Sequence, residues 1–82
     1  MMTDIEAFIV RHIADRHGIE STGIERDADL FDRGYVDSLG VFNMMMVLEE
    51  NFGIRFSEYD MVDPRINTVS GLAAIIDDKQ RD

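Results

Sequence analysis

From Ser38 to Phe52 the chain carries an apolar run, SLGVFNMMMVLEENF, with Asp37 before it and Gly53 after it. Asp37 is suited to cap a helix, because its carboxylate accepts from the free N–H groups of the first turn and lies at the positive end of the helix dipole. Gly53 closes the run in the manner of a left-handed C-terminal cap. Met44, Leu48 and Phe52 recur at every fourth residue with Val41 and Met45 beside them, which predicts a core-facing stripe. Leu39, Phe42 and Met46 follow at three- and four-residue spacing along a neighbouring face. More apolar residues are present than one buried stripe uses, so part of this second face is expected at the surface beside Ser38.

The remaining segments read as helices that pack around this one. Thr3-Asp4-Ile5-Glu6 has the form of a capping box. Ile5, Phe8, Ile9 and Ile13 make the apolar stripe of a first helix, with Glu6, Arg11, Asp15 and Arg16 on the other side and Gly18 at its end. A long connection, 18–37, follows, with Leu30 and Phe31 as its expected anchors. Beyond Gly53, residues 57–63 predict a short helix or turn ended by Pro64, and Glu58, Asp60 and Asp63 extend its negative surface. Thr68 then caps a last helix with the stripe Val69, Leu72, Ile75 and Ile76; Ala73 and Ala74 allow a close neighbour. The tail, 77–82, is expected to fray. No alternating pattern competes, so the fold class is all-α: a small antiparallel bundle of three main helices plus a short extra one, in a single domain spanning 1–82.

Composition narrows the function. A chain of 82 residues buries a modest core with little room for an internal active site. Its formal net charge of −9 repels nucleic-acid phosphates and anionic membrane surfaces and points to basic protein partners. With no cysteine, any thiol chemistry has to arrive on a cofactor. No signal-peptide pattern or membrane-length segment is present, so a cytoplasmic monomer without membrane insertion is expected. His12 and His17 stand five residues apart, share no helical face and read as surface histidines, neither placed by the sequence beside Ser38. Asp27, Asp29 and Asp32 lack the glycine and distal glutamate of a calcium loop and read as a solvated acidic loop.

One combined pattern is more specific. Leu30-Phe31-Asp32 and Gly34 stand ahead of Asp37-Ser38-Leu39, followed by Leu48-Glu49-Glu50 and Phe52-Gly53-Ile54; together they resemble the modification site of acyl carrier proteins. The resemblance covers nearly the whole chain. It implies that Ser38 carries 4′-phosphopantetheine through a phosphodiester, with Asp37 as the motif residue before it, and that the thiol of the arm holds an acyl or aminoacyl group as a thioester. It also implies a long loop between helices 1 and 2 and a protein that catalyses nothing. The implied partners are a phosphopantetheinyl transferase and acyl or aminoacyl ligases, synthases or transferases. They are expected to meet Leu39, Phe42 and Met46 together with Asp32, Glu49 and Glu50.

The fatty-acid-synthesis carriers that the pattern resembles interleave acids along this face, whereas here no acid occurs between Asp37 and Glu49. The motif is more similar to stand-alone carriers of aminoacyl groups, D-alanine or specialised polyketide units, which leaves the fatty-acid carrier as the alternative. A competing class is an unmodified acidic helical module that binds partners through residues 39–46. A hydrolase built on Ser38 would need a base within hydrogen-bond reach, and the placement of both histidines disfavours it.

Overall fold

The computed structural model describes residues 2–81. Its elements are α1 (Asp4–His17), α2 (Ser38–Phe52), α3 (Glu58–Met61) and α4 (Val69–Arg81), with 3-10 turns at Ser21–Gly23 and Pro64–Asn67. This is the expected all-helical bundle.

Local chemistry sets the start of each helix. The Thr3 N–H donates to Glu6 Oε1 at 2.9 Å and the Glu6 N–H donates to Thr3 Oγ1 at 3.2 Å, completing the capping box of α1. Gly18 ends that helix at φ 64° and Gly53 ends α2 at φ 66°, a region where a side chain would be strained. Ile9, Val10, Ile13 and Ala14 of α1 pack with Val41, Met44, Met45 and Leu48 of α2 and with Val69, Leu72, Ile75 and Ile76 of α4 in one core. Phe52 is half-buried and meets Phe8 edge-on, with ring centroids 5.2 Å apart.

Glu6 departs from the expected polar face. It is only 2% exposed, and its Oε2 accepts from Arg26 Nε at 2.7 Å. The connection between α1 and α2 folds over that side of α1 and brings the cation that the buried carboxylate needs.

The same connection is anchored by one residue of the expected pair. Leu30 is fully buried; its N–H donates to the Asn67 carbonyl at 2.8 Å, and its own carbonyl accepts from Tyr35 at 2.9 Å. Phe31 remains 38% exposed. The Asp29 carboxylate accepts from the N–H groups of Phe31 and Asp32 at 2.9 and 3.0 Å, and this tight turn sends consecutive side chains in different directions. Asp27 is also structural, since it accepts from the Ser70 hydroxyl at 2.6 Å. Two acids of the supposedly solvated loop thus tie it down.

Pro64 ends α3 less than it begins a second turn: it occupies the first position of the 3-10 turn capped by Asp63. That turn presses on α4 at Gly71, where an added Cβ would overlap the Arg65 carbonyl. Asp60 pairs with Lys79 at 2.7 Å and Asp63 with Arg65 at 2.9 Å, so these acids are internally matched. In α4 the Thr68 hydroxyl accepts from the Gly71 N–H at 3.0 Å. Ala73 is buried but Ala74 is exposed, so only the first gives a close approach. The helix continues through the segment expected to fray, and Arg81 pairs with Asp77 at 2.6 Å and Asp78 at 3.3 Å; Asp82 lies outside the described residues. No described helix is long and apolar enough to cross a membrane.

Candidate functional site

Ser38 is the first residue of α2 and is exposed to solvent. Asp37, extended at φ −120° and ψ −176°, caps the helix by accepting from the Gly40 N–H at 2.7 Å. The N–H groups at the start of a helix have no partner within it, so a group on the Ser38 hydroxyl would sit against free donors and the positive end of the dipole.

Two features bring the end of α1 to this point. The His17 Nε2–H donates to the Tyr35 carbonyl at 2.6 Å, and the two rings meet edge-on at 5.9 Å. His17 is therefore beside the residues that lead into Asp37, a proximity the sequence did not indicate. The bond commits its Nε2 proton to the backbone, which makes His17 a loop brace. An open cavity of about 300 Å3 lies between these ends, lined by Arg16, His17, Tyr35, Val36, Asp37 and Gly40. Sequence reasoning missed Arg16 here, because nothing local relates it to a residue more than twenty positions later.

His12 is half-buried, and its Nε2 is enclosed with no hydrogen-bond partner among the described residues. Burial lowers its pKa, with the Arg16 charge adding to the effect. It is not the plain surface histidine the spacing suggested.

The structure places the second apolar face of α2 in solvent: Leu39 is 78% exposed, Phe42 56% and Met46 67%. They sit at i, i+3 and i+7, one line running away from Ser38. Asp32 and Glu50 are exposed as well. Glu49 is half-buried, and its Oε2 accepts from the Phe56 N–H at 2.9 Å, so this carboxylate also holds the chain after Gly53 in place.

The fold is a small helical bundle whose helix α2 opens on an exposed serine behind a capping aspartate. Residues 7–76 match the family described as "Phosphopantetheine attachment site". The chain is also 35% identical over 68 residues to "Acyl carrier protein 2" of Pseudomonas aeruginosa, covering 83% of this chain and 84% of that protein. The chain belongs to the phosphopantetheine-binding acyl carrier family. Its cofactor is covalent 4′-phosphopantetheine, and it works as a carrier rather than as an enzyme. A solvent-exposed hydroxyl behind a capping aspartate fits that group, because the arm has to reach active sites on other proteins. When bound, the arm supplies a thiol that holds the cargo as a thioester.

Proposed function

We propose that Ser38 carries the arm and that the domain presents aminoacyl or specialised acyl units, rather than fatty-acid intermediates, to successive enzymes. The observation that carries the first part is the exposure of Ser38 on the opening turn of α2, directly after a capping Asp37. Two other serines at helix starts are engaged: Ser57, the cap of α3, accepts from the Asp60 N–H at 3.3 Å, and Ser70, in the first turn of α4, donates to Asp27 at 2.6 Å. The second part is supported by the lack of acids between Asp37 and Glu49, beside the exposed Leu39, Phe42 and Met46. Partners reading this face gain from apolar contact more than from charge. A surface used by one enzyme after another has to be free between encounters, and like charge opposes self-association, so the carrier acts as a monomer, in the cytoplasm.

Intact mass tests the site. Coexpression with a promiscuous phosphopantetheinyl transferase should add one arm to the wild-type chain and none to Ser38→Ala, which should keep its thermal midpoint. Mass gain by the Ser38→Ala protein, through Ser57 or Ser70, would reject the assignment. Loading of the holo protein by an aminoacyl ligase but not by a fatty-acid synthase set is the expected cargo result.

A further inference from the structure

Of the eight basic residues, five are ion-paired: Arg26, Arg33, Arg65, Lys79 and Arg81. Arg11, Arg16 and Arg55 make no ion pair among the described residues. Arg16 is the one of these three on the cavity beside Asp37. Its Nη2 lies 4.0 Å from the position a Cβ would take on Gly40, so the guanidinium reaches the first turn of α2. Gly40 leaves that approach open, and a side chain there would crowd the Asp37 Oδ1 at 3.1 Å.

A phosphodiester on Ser38 adds a negative charge next to the Asp37 carboxylate, in a chain whose net charge is already −9. That charge calls for a nearby cation, and a planar guanidinium meets phosphate oxygens with two parallel N–H donors. We propose that Arg16 binds the phosphodiester of the arm and holds the root of the arm toward the cavity between the ends of α1 and α2. The proposal rests on Ser38 as the attachment site. Arg16 is a positioning residue: it fixes where the arm leaves the protein and takes no part in the chemistry of the thioester. His17, the next residue, braces Tyr35, which lines the same cavity.

The test compares apo and holo protein by arginine side-chain 1H–15N and by 31P spectra, after mass has established whether the arm is attached. In the wild-type chain, attachment should shift the Arg16 Nε–H resonance and leave those of Arg11 and Arg55 unmoved. Holo Arg16→Gln should give a narrower 31P line than wild type, holo Arg16→Lys an intermediate one, and about 1 M salt should narrow the wild-type line toward that of Arg16→Gln, because the screening length is then roughly 3 Å. An attached arm with an unshifted Arg16 resonance, or equal 31P lines in wild type and Arg16→Gln, overturns this proposal and leaves the Ser38 assignment standing. Absence of the added mass on Ser38 overturns both. Arg16 is exposed, so the variant should fold; were it to unfold, the wild-type arginine spectrum decides alone.

Discussion

Among the described residues, Glu6 is the charged one buried in the fold. Its carboxylate accepts from the Thr3 N–H at 2.9 Å and from Arg26, whose Nη2 lies 2.5 Å from Oε2. The Thr3 N–H contributes most and Arg26 adds to it; against the opposing effect of burial, they hold the carboxyl below its ordinary 4.5. A folded pKa below the unfolded one means that the ionised form favours the fold. The contribution is complete above about pH 4.5 and is lost as pH falls through the lowered value. Glu6→Gln should therefore cost about 1–3 kcal/mol at neutral pH and flatten the loss of stability in acid. Arg26 is 49% exposed and can rehydrate when its partner is gone, which limits the cost. Chemical denaturation of both proteins across pH 3–7 measures this, and an unchanged acid slope in the variant would refute the role given to Glu6.

Among the elements, α2 divides its apolar residues between the core and an exposed face, and truncation tells the two apart. Leu48 is fully buried while Leu39 is 78% exposed, one helix and one residue type in opposite surroundings. Leu48→Ala should lose roughly 2–5 kcal/mol of stability. Leu39→Ala should keep the wild-type midpoint yet bind the transferase more weakly by about 2 kcal/mol, as the loss of an anchor does. If Leu39→Ala unfolds the domain without altering transfer by the folded fraction, the contact face is to be redrawn around Phe42 and Met46. The contrast also explains how much of the site was readable beforehand. Asp37, Gly53, Thr3 with Glu6, and Thr68 act within three or four residues of themselves, so helix boundaries and the exposed start at Ser38 follow from local chemistry. Arg26 with Glu6, His17 with Tyr35 and Ser70 with Asp27 are 20, 18 and 43 residues apart. No periodicity encodes such pairs, and they emerge only when the connection closes over α1 and against α4. Phe31 illustrates the same limit, because its direction is set by the Asp29 turn and not by its hydrophobicity.

At the scale of the whole molecule, extents of 33 × 27 × 20 Å confine a net charge of −9 to a small body, so the field reaches every approaching partner. Not all of the acids are free to contribute equally. Asp60 and Asp63 are matched by Lys79 and Arg65, and Glu49 bonds to the Phe56 N–H. Asp32 and Glu50 remain exposed, and the apolar line of Leu39, Phe42 and Met46 contains no acid of its own. Under the proposed function, two separable parts of recognition are expected: charge that speeds encounter with a basic partner, and apolar contact at Leu39, Phe42 and Met46 that holds it afterwards. Raising ionic strength from about 0.1 M to about 1 M shortens the screening length from about 10 Å to about 3 Å, so association with the transferase should slow while dissociation changes little. Neutralising Asp32→Asn with Glu50→Gln should reproduce that slowing at low salt and have no effect at high salt. The affinity lost in Leu39→Ala should persist at both. Stopped-flow association across this range measures all three, and an association rate indifferent to salt would show that the negative surface has no part in finding partners.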